Sequence, residues 1–203
     1  MSKGIAIILA VVTLALVLGV GVYNKIIGGD EGVTAAWSEV INQYQRRADL
    51  IPNLVKTVKG SAANEKDILN SVIEARSKAT SINVNADTLN DPAMFQKFTQ
   101  AQEQLGGALC RLLVTVERYP EIKSTQLYQD LLGQLEGTEN RISVARQRYV
   151  VAVKDYNLAV RKFPGSVIAG YAGFSVKPNF SVDNEAEIAK PPAINFNTPP
   201  VTN

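Results

Sequence analysis

No histidine occurs anywhere in the chain, which removes at once the commonest general base near neutral pH and the commonest transition-metal ligand. A single cysteine, Cys110, precludes an intramolecular disulfide and a paired-thiolate metal site, and leaves the redox compartment unread. Serine, threonine and Cys110 side chains therefore have no imidazole to activate them. A Ser-Lys pair stays open, but nothing in the sequence marks one. There is no GxxxxGK phosphate loop and no Glu-x-x-His set of the kind that builds a di-iron centre in a helical bundle. Acids such as Asp49, Glu65, Asp67 and Glu74 read as solubilising charges on helix faces. Charge of either sign is scarce in the balance: 21 Lys and Arg against 19 Asp and Glu leave +2, which implies no strongly acidic or basic partner. No catalytic, cofactor-binding or metal-binding residue is assigned, and the chain reads as a non-enzyme.

Charge is missing altogether in one segment. From Gly4 to Tyr23 the sequence GIAIILAVVTLALVLGVGVY carries none, and about 20 helical residues cover about 30 Å of hydrocarbon. A cleaved leader is the alternative, with Lys3 as its basic flank and Gly19-Val20-Gly21 as small residues. The run is longer than a leader's apolar core and no Ala-x-Ala site follows, so a retained single-pass anchor in the cell (inner) membrane is expected. The N-terminal amine and Lys3 precede the span, whereas Lys25 after it is opposed by Asp30 and Glu31. By the positive-inside rule the bundle beyond is expected outside the cytoplasm.

Past the span, Gly28-Gly29-Asp30-Glu31-Gly32 reads as a polar, glycine-rich hinge. Trp37, Ile41, Tyr44, Ala48, Ile51, Val55, Val58 and Ala62 then recur at spacings of four and three, the seam of a packed helix. The phase continues to Leu69 and Val72 with only Glu65 interrupting it, which predicts one helix from about Val33 to Ala79 across Gly60. A second helix starts at Asp91-Pro92, with Asp91 as cap. It carries Phe95, Phe98, Leu105, Leu109, Leu112 and Val116, has polar Gln102 in the one missing place of the series, and ends near Tyr119-Pro120. The third runs Tyr128, Leu131, Leu135, Thr138, Ile142, Ala145, Tyr149, Ala152, Tyr156, Ala159 and Phe163, and stops at Pro164-Gly165.

The fold class is therefore all-α: a transmembrane helix, then an elongated antiparallel bundle of three long helices, four if the first is broken, and an extended C-terminal tail. Residues 1–3 form the N-terminal flank, 4–23 the transmembrane helix, 24–32 the hinge, 33–165 the bundle and 166–203 a short helix with an extended, Pro-containing tail. Phe174, Phe180 and Phe196 are spaced anchors that would hold this tail in a groove of its own bundle.

The stretch RRADLIPNLVKTVKG, residues 46–60, places two arginines, an acid and a proline inside the first seam. Arg46, Arg47, Asp49 and Asn53 fall between seam positions, so most of this set is expected toward solvent or the seam's edge, with Arg46 paired to Asp49. Pro52 removes a backbone donor and crowds the Ala48 carbonyl, so bent scaffold is predicted rather than a loop. In the third helix Arg141, Arg146, Arg148, Lys154, Arg161 and Lys162 face one acid, Asp155. This basic stripe lacks exposed aromatics, so no nucleic-acid partner is assigned. If the helices alternate without an extra turn, it lies far from the bilayer, which leaves a protein partner or a neighbouring subunit. Arg46, Arg47, Asp49, Arg146 and Arg148 are the candidate partner-binding residues. Gly106-Gly107, Gly133 and Gly137 each cost about 1 kcal/mol inside a helix, and either internal packing or a self-association face would offset that cost.

Ala35-Ala36-Trp37, Tyr44-Gln45-Arg46-Arg47-Ala48-Asp49-Leu50-Ile51-Pro52-Asn53-Leu54-Val55, Val58-Lys59-Gly60 and Glu74-Ala75-Arg76 resemble the signature of the LemA family of bacterial membrane proteins. The likeness continues through Val116-Glu117-Arg118-Tyr119-Pro120, Ile142, Arg146, Tyr149, Tyr156-Asn157 and Gly173-Phe174. Ser61, Asn64 and Val150 depart from the residues common in the family. The resemblance implies one N-terminal span with a helical bundle, no established enzymatic activity, and, through magnetosome relatives, a role in membrane organisation. Family members are often encoded beside membrane proteases or other envelope proteins, which points to an adaptor. The expectation is thus a membrane-anchored scaffold or adaptor of the bacterial cell envelope, without cofactors. Its partners are the bilayer through the N-terminal helix, unknown envelope proteins and further copies of itself. An envelope sensor holding a small ligand within the bundle is the first alternative, and an enzyme of unrecognised type the second.

Overall fold

The computed structural model describes residues 3–60 and 65–180. The described residues form six α-helices: α1 Lys3–Lys59, α2 Lys66–Ser81, α3 Pro92–Val116, α4 Pro120–Lys123, α5 Gln126–Arg161 and α6 Gly165–Ala172. A 3-10 turn at Ala86–Asn90 precedes α3. No strand occurs among the described residues, in keeping with an all-α chain. Of the expected seam and tail, Ala62 and residues 181–203 with Phe196 lie outside the described residues.

The expected hinge at 24–32 is helical. α1 runs unbroken from the apolar segment into the bundle, despite glycines that cost about 1 kcal/mol each in a helix interior. Packing outweighs that cost. Ile26 and Val33, two turns apart, are fully buried, and each such burial contributes about 1.5–3 kcal/mol. Gly29 has its own use: a Cβ there would lie 3.3 Å from the Tyr156 ring, so its absence lets α5 approach closely.

The break falls instead at Gly60. α1 ends at Lys59, with Lys56 and Lys59 in its last turn, where cations offset the helix dipole, and Gly60 is in a turn. Glu65 then stands at the N-cap position of α2. Its carboxylate accepts from the Tyr119 hydroxyl at 2.9 Å and from Arg118 at 3.2 Å, closing this end of the molecule. The single helix expected from Val33 to Ala79 is therefore two, and the bundle has four long helices. α1 ascends, α2 returns, α3 ascends from its Asp91 cap, which accepts from the Ala93 and Met94 amides at 2.9 and 3.1 Å, and α5 returns beside α1.

The extra reversal moves the basic end of α5. Tyr156 lies on Gly29, and Val22 lies beside Gly165, so α5 descends toward the apolar segment and its C-terminal cations stand at the membrane-proximal end rather than far from it. The seam of α5 also slips: beyond Tyr149 the buried positions are Val153, Tyr156 and Val160, while Phe163 is 84% exposed. A helix of 3.6 residues per turn drifts against a fixed 3-4 series, and α5 has already ended at Arg161.

Two apolar clusters fill the bundle. One, at the far end, gathers Ile51, Leu54 and Val58 with Leu105, Leu112 and Leu131. The other, nearer the apolar segment, gathers Ile26, Val33 and Trp37 with Phe95, Tyr149 and Tyr156. Between them α1 contributes Arg47, α3 Gln102 and α5 Thr138, all buried.

Candidate functional site

Arg47 is the centre of this polar layer. The sequence places it among solvated charges, yet only 4% of its surface is accessible. Its position is three residues after Tyr44 and four before Ile51, so it shares their face of α1. One terminal nitrogen donates to the Gln102 side-chain oxygen at 2.8 Å and to the Gln102 carbonyl at 2.9 Å. The other donates to Glu139 of α5 at 3.0 Å. The guanidinium also lies 5.0 Å from the centre of the Tyr44 ring, a cation-π arrangement. Gly106 borders it, since a Cβ there would stand 3.7 Å from the guanidinium. One side chain thus ties α1, α3 and α5 together. A buried charge persists only when paired and hydrogen-bonded; Glu139 pairs it, and Gln102, the polar gap in the α3 seam, supplies the buried acceptors.

One turn further on, Pro52 sits inside α1 with helix on both sides, as scaffold requires. Its missing N–H leaves the Ala48 carbonyl without an intrahelical donor. Arg76 of α2 supplies the replacement, its Nε donating to that oxygen at 2.8 Å. Pro52→Ala is expected to stabilise the bundle by about 1–2 kcal/mol by restoring the backbone bond. Arg76→Met is expected to cost about 1–2 kcal/mol in the parent and clearly less beside Pro52→Ala. Urea unfolding of the four proteins measures the coupling; equal costs in both backgrounds would separate Arg76 from the proline.

The C-terminal segment forms a strap. The Tyr149 hydroxyl donates to the Pro178 carbonyl at 2.8 Å and the Tyr156 hydroxyl to the Ser175 carbonyl at 3.0 Å. Asn157 exchanges two bonds with the Lys177 backbone. The Lys177 ammonium reaches Asn90 at 2.7 Å and Asp30 at 3.1 Å. Phe180 lies 5.1 Å from the Phe95 ring and 5.3 Å from the Tyr149 ring, with the Arg146 guanidinium 4.3 Å over its face. Burial, with Asp30 adding in the same sense, pushes the Tyr156 phenol up to about 12. Burial raises Tyr149 as well, so both hydroxyls remain donors throughout the neutral range. The expectation that the tail lies on its own bundle holds through Phe180.

The five candidate residues do not form one patch. Arg47 is interior and Arg146 half-buried under the strap, whereas Arg46, Asp49 and Arg148 are exposed. Asp49 accepts from Gln45 at 2.8 Å, in place of the expected Arg46. Gly133 and Gly137, exposed with open space where a Cβ would stand, serve no internal packing. Gln102 and Glu139, the partners of Arg47, and Arg76, which bonds to the Ala48 carbonyl, were not among the candidates. The polar gap at Gln102 was the available signal, because a polar residue on one seam calls for another opposite.

A four-helix bundle with an interior arginine layer, continuous with a helix long and apolar enough to cross a membrane, defines a class of helical proteins built onto an N-terminal apolar helix. The LemA family model matches residues 36–196, and the chain belongs to that family. Among curated proteins it is similar to magnetosome protein MamQ 2 of Paramagnetospirillum magneticum, 28% identical over 168 residues, or 75% of this chain. It is also similar to magnetosome protein MamQ of Magnetospirillum gryphiswaldense, 27% identical over 195 residues, covering 86% of this chain and 72% of the relative. Of MamQ 2 the match spans 62% of the length.

Proposed function

We propose that the protein is a membrane-anchored, non-enzymatic scaffold of the bacterial cell envelope whose bundle lies outside the cytoplasm and assembles through the outer face of α5. The observation that carries this reading is a line along that helix: Gly133, Gly137, Val144, Val151 and Leu158, at spacings of four and seven, are exposed. Apolar and small residues repeating at seven are what helix pairing uses, and Val151 is 52% accessible. The similarity to magnetosome proteins supports a membrane-organising role.

Cys110 is exposed on α3, so Cys110→Ser is tolerated and Val151→Cys can serve as a unique reporter. A bifunctional thiol reagent that cannot cross the inner membrane, applied to intact cells with any outer barrier opened, is expected to give covalent dimers. Dimers only after lysis would place the bundle in the cytoplasm. Absence of dimers, with heterologous envelope proteins captured instead, would replace self-assembly by an adaptor role; no crosslink of either kind would overturn both.

A further inference from the structure

The membrane-proximal end carries a feature that the anchor alone does not require. α5 and α6 meet in a tight elbow, where Gly165 lies so near the Ala159 carbonyl that a Cβ cannot be accommodated. Tyr156 packs on Gly29, and beyond the end of α5 the turn at Phe163 comes to the level of Val22, seven residues before Gly29 on α1. Both indeed line one cleft of about 500 Å³, together with Lys25, Leu158 and Lys162. Val22 belongs to the last turn of the charge-free run, so the elbow stands at the level where hydrocarbon gives way to headgroups.

The side chains there suit that boundary and suit water poorly. Phe163 is 84% exposed, Val167 65% and Tyr171 97%. Tyr23, facing Phe174 at 5.9 Å between ring centres, is 41% exposed. Aromatic rings of this kind gather at bilayer interfaces. Among them stand the exposed cations Lys25, Arg161 and Lys162. Asp155 is the one acid in the cleft lining. Long cationic side chains at this depth extend toward lipid phosphates.

We propose that the α5–α6 elbow is a second membrane contact, in which Phe163, Val167 and Tyr171 enter the interfacial layer and Lys25 and Lys162 hold the phosphate of an anionic phospholipid in the cleft beside Val22. The bilayer is the occupant because the surface is continuous with the span and its cations complement anionic headgroups. The bundle is then fixed at two points and cannot swing about α1. This inference rests on the span and not on the scaffold reading, so loss of the α5 crosslink would leave it standing.

The test uses the full chain in phosphatidylcholine vesicles, with or without phosphatidylglycerol. A bimane label at Tyr171→Cys in a Cys110→Ser background is expected to be quenched by headgroup-level nitroxide lipid and shielded from aqueous acrylamide. A label at the native Cys110 should behave oppositely. Phe163→Ser, at an exposed position, should restore acrylamide access with helicity unchanged. For the headgroup, phosphatidylglycerol enrichment in the lipid shell co-extracted with mild detergent is compared between parent and Lys25→Gln/Lys162→Gln. Each cation is worth about fivefold near an anionic surface, so the enrichment should fall by up to about 25-fold, and Lys25→Arg/Lys162→Arg should retain it. A label at 171 open to acrylamide in both vesicle types would overturn the membrane contact. Unchanged enrichment in the glutamine variant, or its loss in the arginine variant, would overturn the headgroup assignment. Displacement of phosphatidylglycerol by excess inorganic phosphate would reassign the cleft to a free anion.

Discussion

Arg47→Ala is expected to destabilise the bundle by about 2–4 kcal/mol, because it removes both hydrogen bonds to Gln102 and leaves the Gln102 side-chain amide unpartnered in the interior. Glu139 contributes less, since its side chain is 46% exposed and water can replace the arginine there. Arg46→Ala, one residue away and exposed, should change stability by no more than about 0.5 kcal/mol. Arg47→Lys is not conservative at this site. An ammonium lacks the planar fork that reaches two helices at once, and should recover less than half of the loss. Chemical unfolding in detergent or nanodiscs, followed by far-ultraviolet circular dichroism, measures all three. Equal effects of Arg46→Ala and Arg47→Ala would return the arginine pair to a solvated face and remove the layer. Arg47→Met beside Gln102→Leu is the informative rescue, because an apolar pair can replace a buried ionic one with little loss.

The contrast between these neighbours shows what periodicity could and could not reveal. A one-residue-wide seam through Tyr44, Ala48 and Ile51 leaves Arg47 to one side. The buried stripe is wider than that, as Val40 and Leu54 show. The element types, the Asp91 cap and the seam of α3 were legible because each depends on local spacing or on one side chain. Direction was not. A hairpin at Gly60 leaves the 3-4 phase of Leu69 and Val72 intact, so the pattern carries no sign of reversal. That missed reversal also inverted the height of the basic end of α5. The glycines at 28, 29 and 32 misled in the opposite sense. Their propensity favoured a hinge, but burial of Ile26 and Val33 against α5 and α6 lies in tertiary contacts that composition does not contain. The strap was legible only as spaced phenylalanines, because its backbone bonds to Tyr149, Tyr156 and Asn157 have no local signature.

Trp37→Ala is expected to cost about 3–5 kcal/mol and to act unevenly along the molecule. Trp37 is 1% exposed, and its ring lies 5.3 Å from Phe95, 5.4 Å from Phe98 and 5.3 Å from Tyr149. Its indole N–H donates to the Asn85 carbonyl at 3.3 Å, which ties α1 to the connection before α3. Phe180 completes the cluster at 6.3 Å, so removing the indole undermines the strap as well as the core. At about 2–4 °C per kcal/mol for a domain of this size, the melting point should fall by roughly 10 °C. Trp37→Phe keeps most of the apolar volume but loses the hydrogen bond and part of the ring, and should cost about 1–2 kcal/mol. The polar layer makes the loss local. The far cluster around Leu105, Leu112 and Leu131 shares no buried residue with the cluster of Trp37, and Arg47 still bridges the helices between them. Hydrogen exchange of Trp37→Ala should therefore lose protection first at 145–160 and along the strap, while amides near Leu112 and Leu131 stay protected under mildly destabilising conditions. A uniform loss of protection from one end to the other would show that the two clusters unfold as one unit and that the arginine layer does not divide them.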